Sequence, residues 1–466
     1  MVISAALVAA VSTGVLMWDW ARTASGDNPK ASVRLLSPGI LSIALDSGNT
    51  YAAGLAVEGD GTIVVGATTW VPASDKNLGV VVRLTAAGRL AKPAVTRLGH
   101  TETIVSAVAT APGGTIVVAG YGSSRIPFSK RRFLLARVLP DGVLDPTFGR
   151  HGMTRANMRS SIWVGDAARA LALQADGRIV VTGSAGYALG PLSQAASCAT
   201  ARFNPDGRLD GRFGAKGRVL TLLPGQTSCG GVAVFVAPDR GIIVAGNAFS
   251  DRVGGAHHIA VLRYVPSGAT DPWFGRDGTA ELDMEATAWG AALDAQGRTV
   301  VVGTEWLSLT STRLLVARFD SQGNVDQSFG AGGIVSFHEA DVSQELVATA
   351  LEPDGKIVAV GTFGWHGGTR APEPGKRDRI AVLRLEPNGA LDTSFAGGGL
   401  LLMASPRYLW DGHGVAIQPD GKLLIVGSVV EQADDGSLSR PAIVLFRLRP
   451  DGTPDPDFGS GLATTP

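Results

Sequence analysis

The sequence is poor in the marks of familiar chemistry. It has only two cysteines, Cys198 and Cys229, and no Cys-x-x-Cys pair. Gly-x-Ser-x-Gly, His-Glu-x-x-His and P-loop patterns are all missing. The two adjacent histidines, His257 and His258, point to opposite faces of an extended strand and make a poor chelate. His338, His366 and His413 come from separate parts of the chain, and Ala433-Asp-Asp-Gly436 is too sparse for a calcium loop. No metal, no cofactor and no catalytic residue is therefore assigned. Net charge is missing too: 41 Lys and Arg balance 41 Asp and Glu, which removes the basic excess of a nucleic-acid binder. No block of like charge suggests a disordered tail.

One apolar run stands apart. Val2–Met17 carries no charge and is shorter than the ~20 residues of a comfortable membrane span. It fits the apolar part of a secretory signal better. Residues 1–25 are therefore expected to be a signal peptide, with an uncleaved anchor as the alternative. No other stretch is apolar enough to span a membrane, so membrane contact is expected only at such an anchor. The protein is expected to be secreted, periplasmic or at the cell surface. Export permits a Cys198–Cys229 disulfide; two free buried thiols are the alternative.

Gly (62) and Pro (25) are abundant among the 466 residues, as suits many short strands joined by turns. No stretch of useful length shows a 3.6-residue apolar period, which excludes a helical solenoid. What recurs is a unit repeated seven times at intervals of about 53 to 66 residues. Its first run holds a small residue at one position: Gly54, Ala107, Ala170, Ala233, Gly290, Ala348 and Gly414. A turn such as Glu352-Pro-Asp-Gly-Lys356 follows, then a β-branched run ending in Gly, such as Ile179-Val-Val-Thr-Gly183. A third run ends apolar-Arg-apolar, with Arg83, Arg137, Arg202, Arg263, Arg318, Arg384 and Arg447. A second turn, a Leu-Asp-x-x-Phe-Gly segment and a fourth strand complete the unit.

Four strands in seven units predict an all-β fold, a single seven-bladed β-propeller of four antiparallel strands per blade. The small residues of the first strand place it innermost, where bulk is hard to fit. The last unit stops at Asp457-Phe-Gly459, and its missing strand stands alone at Gly39-Ile-Leu-Ser-Ile-Ala-Leu45. The N-terminal strand should therefore close the last blade, removing exposed edges. The expected organisation is a linker at 26–37 and a propeller at 38–460, with a tail at 461–466. Its repeats lie near 50–102, 103–165, 166–227, 228–285, 286–344, 345–410 and 411–460 plus 38–46.

The Pro-Asp-Gly-Lys-Ile-Val-Val-like turn, the Ala-Arg-apolar strand and the Leu-Asp-x-x-Phe-Gly close resemble the delta-60 repeat family of bacterial propellers. The resemblance covers about residues 50–459. The first copy departs most: Arg89-Leu-Ala-Lys92 lacks the Asp, and the Phe-Gly is lost near Leu98-Gly99. The resemblance implies a repeat scaffold and no established enzymatic activity.

Residues present in every copy read as structural, because one site does not need seven copies. The strand-three Arg and the Asp at 145, 210, 271, 326, 392 and 455 are expected to cap and pair locally. Function is expected where the copies differ. The turns between strands 1–2 and 3–4 are short and uniform and share one face. The opposite face carries long irregular segments, such as Thr68–Gly79, Met153–Gly165, Thr362–Arg379 and Ser428–Ala442. Trp70, Trp163, Trp306, Trp365, Trp410, Tyr121, Tyr187 and Tyr408 fall there. Rigid amphipathic rings suit sugar or peptide recognition, while packing beneath their own loops is the alternative. Arg169, Trp289 and His413 occupy equivalent inner-strand positions that line the top of the channel and, with Asp411, are a candidate polar cluster, a solvated channel mouth being the alternative. The reading is a monomeric, exported, non-catalytic module that binds a glycan or extended peptide on this face. The alternatives are a scaffold for a protein partner at the cell surface, or an enzyme, a hydrolase or quinone-type oxidoreductase, with a channel-mouth site around His413. No nucleic-acid partner is expected.

Overall fold

The computed structural model describes residues 28–462, except 100–101, 123–130, 159–164, 191–192, 251–256, 309–310, 339–342, 365–378, 434 and 461. The strands form seven separate antiparallel sheets, six of four strands and one of five. The inner strands are Asn49–Val57, Thr103–Ala111, Asp166–Leu173, Ser228–Val236, Ala286–Leu293, Ser343–Leu351 and Tyr408–Ile417. Each packs against the inner strand of the next repeat, and the seventh packs against the first. The protein is therefore a seven-bladed propeller with the small-residue strand at the axis.

Ring closure follows the order of the incomplete units. Ile40–Leu45 pairs antiparallel with Ala442–Leu448, setting Ile43 opposite Ile443. Beyond it lies a strand in place of the expected linker: Ala31–Ser37 pairs with Ile40–Leu45 and gives the last blade a fifth strand. The cause is period-two patterning. Val33 and Leu35 pack on the core shared by blades seven and one. Leu36 packs on the core shared by blades six and seven.

Every inner strand carries a bulge at the same place. The pairing skips Ala53, Ser106, Arg169, Val232, Trp289, Val347 and His413. Such a bulge sets two residues against one and bends the strand. It also explains the glycine within the second strand of blades two to seven. A Cβ at Gly120, Gly183, Gly246, Gly303, Gly361 or Gly427 would meet, at 1.8–2.4 Å, the carbonyl oxygen two residues before the bulged residue. Only glycine lets that carbonyl approach. The small residue after the bulge answers a different constraint: a Cβ at Gly290 would lie 2.7 Å from the Val347 carbonyl oxygen of the next blade.

The uniform face is held by a repeated clasp. Arg137, Arg202, Arg263, Arg318, Arg384 and Arg447 each place Nε 2.7–2.8 Å from the Asp eight residues later. In five blades the same guanidinium lies 4.5–4.7 Å from the ring centroid of its own Phe. It then reaches onward: Nη1 of Arg202 donates to the Pro266 carbonyl at 2.6 Å and that of Arg384 to Pro450 at 2.5 Å, each in the next blade. The Phe also packs under the next blade's turn, where a Cβ on Gly207 would lie 3.0 Å from Phe148. Gly207 has φ of 82°, so its position demands glycine twice over. Blade one lacks the Asp, and Arg83 pairs instead with Glu58 at 2.8 Å. Its outer strand still forms, over Leu90–Arg97.

Candidate functional site

With the clasped face committed to blade packing, the variable side chains lie along the channel and the opposite rim. On the channel side the bulge fixes the positions of Arg169, Trp289 and His413. Arg169 is exposed, and the other two are half-buried. Among the described contacts, only His413 of these meets Asp411. Three alternate blades carry them, and only His413 shares a blade with Asp411. Trp289 turns to its own second strand, where Nε1 donates to Thr304 Oγ1 at 3.2 Å.

Asp411 and His413 make a local pair. His413 Nε2 lies 3.1 Å from Asp411 Oδ1 and 3.1 Å from Ser428 Oγ. The Ser428 N–H donates to the same Asp411 oxygen at 3.0 Å. Burial alone would lower the His413 pKa, but the Asp411 charge, with Glu345 contributing, raises it above the ordinary value. Burial and then the Asp411 charge push the Tyr51 phenol up. The Tyr51 Oη is buried without a hydrogen-bond partner.

The rim aromatics divide by burial. Trp306 ends the strand Thr299–Trp306 and is half-buried, with Nε1 donating to Thr287 Oγ1 at 2.9 Å. Its ring lies 6.3 Å from His257, which stands edge-on to Phe249 at 4.6 Å. A half-exposed aromatic row thus bridges blades four and five. Trp70 is in a strand rather than a loop, because Ile63–Val71 and Lys76–Leu84 extend as a hairpin around Pro72–Ser74. Its Nε1 donates to Asp75 Oδ1 at 3.3 Å. Arg131 lies 5.2 Å from the Tyr121 ring centroid.

Trp410 belongs to the core. It sits in the inner strand Tyr408–Ile417, is 6% exposed, and donates Nε1 to the Met403 carbonyl at 3.3 Å. Its ring packs edge-on against Phe446 at 5.1 Å between blades six and seven. It is therefore not free to meet a ligand. Trp273, by contrast, lies in the blade-packing segment yet is 89% exposed. Trp163, Trp365, His366 and residues 1–25 lie outside the described residues, as does the Tyr187 side chain.

Two concavities share blade seven. One, of about 240 Å³, runs beside the added N-terminal strand and is lined by Ser32, Arg34, Ser42, Tyr408, Glu431 and Arg440 among others. The second lies over Arg407, Glu431 and Leu438. Glu431 joins them, 3.0 Å from Arg34 Nη2 and 2.5 Å from Arg407 Nε. Burial would raise the Glu431 carboxyl, but Arg34 and Arg407 hold it below its ordinary value. The sequence reading missed Arg34, Arg407, Glu431 and Arg440. A signal for Arg34 was present, since Val33-Arg34-Leu35 repeats the apolar-Arg-apolar pattern of the third strands.

Cys198 and Cys229 are bonded, with Cα atoms 4.7 Å apart, and join the third strand of blade three to the inner strand of blade four. Among the described residues no group of three or more His, Cys, Asp or Glu is placed to hold a metal ion. None of the described helices is long and apolar enough to cross a membrane.

A family model described as "Domain of unknown function (DUF5122) beta-propeller" matches residues 112–148, 174–213, 297–329, 352–373, 375–395 and 418–458. These stretches are repeats of blades two, three, five, six and seven, so the chain carries repeats of a β-propeller family. The unmatched blades are the two irregular ones. Blade one lacks the Asp and Phe-Gly, and blade four puts Arg240, with φ of 67°, into its first turn. No curated protein matches the sequence. Among solved structures, the chain is similar to the PQQ-bound aldose sugar dehydrogenase of Streptomyces coelicolor, at 14% identity and TM-score 0.37, over 90% of this chain and 100% of that one. It is similar to the β-propeller domain of the trilobed protease of Pyrococcus furiosus, at 9% identity and TM-score 0.41, over 84% and 95%. It is also similar to extracellular domains 1–2 of Drosophila semaphorin 1a, at 10% identity and TM-score 0.45, over 90% and 88%.

Proposed function

We propose that this chain is an exported, non-catalytic binding module built from delta-60-type repeats, which holds a glycan or extended peptide on its loop-bearing face. The observation that carries this reading is the division of labour between the two faces. One face spends its conserved-by-repetition Arg, Asp and Phe on joining blades. The other keeps exposed or half-buried side chains that differ from blade to blade: Trp70, Tyr121, Trp306 and Tyr408 at the rim, and Arg169, Trp289, Asp411 and His413 beside the channel. Trp163 and Trp365 are assigned to the same face from sequence. Rings fixed through their own N–H groups, as in Trp306 and Trp289, present flat apolar surface at little entropic cost.

The His413 geometry weighs against a hydrolase. A serine nucleophile needs one imidazole nitrogen to take its proton and the other to be oriented by a carboxylate. Here Asp411 and Ser428 approach the same nitrogen. Export is supported by the apolar run at Val2–Met17 and by the Cys198–Cys229 bond.

The test is tryptophan fluorescence of the full chain titrated with panels of glycans and short peptides. A saturable change with one class, weakened by Trp306→Ala, is expected. A flat response to both panels overturns the reading.

A further inference from the structure

The blade-seven groove has a composition that no repeat requires. It lies on the face of blade seven that packs on blade six, because Leu36, Val429 and Ala442 both line it and join that core. Its floor is low. Ser32, Ser42, Ala44 and Ala442 stand on three adjacent strands and leave the space open. Its existence depends on the added strand Ala31–Ser37, which supplies Ser32 and Arg34.

The walls are charged. Glu431 binds Arg34 with one carboxylate oxygen and Arg407 with the other. Its backbone N–H is held by Ser439 Oγ at 2.8 Å, and its strand pairs with Tyr408. The carboxylate thus orients two guanidinium groups without neutralising both. Arg34 is 37% exposed at its side chain and Arg407 55%. Arg34 uses one nitrogen in these bonds, so other donors of its fork are left for a ligand in the groove, while Arg407 lines the neighbouring concavity. Arg440, on the groove wall with Arg34, is exposed and has no acidic partner among the described residues. Arg34 Nη2 also donates to Tyr408 Oη at 3.2 Å, which leaves the phenol's own proton to donate elsewhere.

We infer that this groove binds the carboxylate of an acidic sugar, a uronate residue of a glycan chain, between Arg34 and Arg440. Guanidinium groups match a carboxylate through paired N–H donors. The hydroxyls of Ser32, Ser42, Ser439 and Tyr408 match the hydroxyl-rich ring that carries it. At about 240 Å³ the space is below the ~300 Å³ of typical drug-sized pockets, and it suits one sugar ring rather than an extended peptide. This assignment rests on the glycan form of the reading above and gives it a substrate class.

The test is calorimetric titration of the full chain with glucuronate- and galacturonate-containing oligosaccharides, their neutral counterparts, and one peptide with a free or amidated C-terminus. The uronates are expected to bind at least tenfold more tightly than the neutral sugars, and more weakly as salt rises. Arg440→Ala and Arg34→Ala are each expected to weaken uronate binding about tenfold, the scale of a lost charged hydrogen bond. Arg440 is exposed, so its variant keeps the fold if Arg34→Ala does not. Equal affinity for neutral sugars, preference for the free peptide carboxylate, or indifference to Arg440→Ala overturns the inference. Neutral-sugar binding that is lost in Trp306→Ala and kept in Arg440→Ala overturns the groove alone and leaves the rim reading standing. No binding of any sugar or peptide overturns both.

Discussion

Arg447 of blade seven donates a hydrogen bond to the backbone carbonyl of Ala86 in blade one, across the closure of the ring. The two residues are 361 positions apart in the chain, yet the contact is the one that Arg137, Arg202, Arg318 and Arg384 make to their next neighbours. Gly459 N–H adds a second bond, to the Ala87 carbonyl at 2.9 Å, as Gly149 N–H does to Asp206 at 2.7 Å. Phe458 completes it, since a Cβ on Gly88 would lie 2.8 Å from that ring. The closure is thus held by the repeat's own chemistry as well as by the swapped strand.

The clasp carries charge into a buried place, so its loss should be severe. Asp392 and Arg384 are 3% and 6% exposed at their side chains. Asp392→Asn removes the near carboxylate of both Arg384 and Lys356, leaving Arg384 only Glu352 at 3.6 Å, and should cost about 3 kcal/mol. Urea unfolding of the variant measures this, and a shift below 1 kcal/mol would contradict the structural role.

The same carboxylates set an acid limit. Burial would raise them, but hydrogen bonds and the facing cations hold Asp145, Asp210, Asp326, Asp392 and Asp455 below the ordinary value. A depressed folded pKa stabilises above the unfolded value of about 3.9 and is lost as pH falls through the folded one. Thermal stability should therefore fall progressively below about pH 4. Scanning calorimetry from pH 7 to 2 checks it; an unchanged Tm at pH 3 would count against the pairing.

The bulge should tolerate no side chain on the facing strand. A Cβ on Gly183 would lie 1.9 Å from the Ala167 carbonyl oxygen, whereas one on Gly59 meets nothing within 4 Å. Gly183→Ala should destabilise by at least about 1–3 kcal/mol through forced displacement. Gly59→Ala should stay within about 0.5 kcal/mol of the parent. Equal midpoints in denaturant would remove the steric explanation of the second-strand glycine.

Cys198 and Cys229 are separated by 31 positions. Closing a loop of that length stabilises by about 3–4 kcal/mol through chain entropy. Peptide mapping without reductant should recover one linked peptide, and the Cys198→Ala/Cys229→Ala double variant should unfold earlier by that amount. Two alkylated thiols in secreted protein would contradict the bond.

His413 titrates against Asp411, and the sign is fixed by the pair. A raised folded pKa stabilises below the unfolded value of about 6.5 and is lost as pH rises through the folded one. Asp411→Asn should move the His413 titration to lower pH, read from its ring proton shifts by NMR. An unmoved titration would mean that the carboxylate is not its principal partner.

The repeat made the architecture legible. Seven copies of Arg, six of Asp and a small residue at one fixed place in each first strand define blade number, strand order and the inner edge, because each copy reports the same local geometry. The missing last strand was legible for the same reason, as a remainder in a periodic pattern. Within the site, legibility ended where side chains meet across blades. Trp410 and Trp306 look alike in sequence, but one enters the core of blades six and seven and the other stays at the rim, and only packing separates them. Arg169, Trp289 and His413 were rightly placed at equivalent positions. They stand on blades three, five and seven, and only His413 has a described contact with Asp411, which a one-dimensional register does not express. Ala31–Ser37 lies outside the repeat, so periodicity did not predict it. Its strand, and the pairing of Arg34 with Glu431 that lies 397 positions away, were decided by tertiary structure, because the edge of the closed last blade offers Val33 and Leu35 a surface that exists only after the ring has formed.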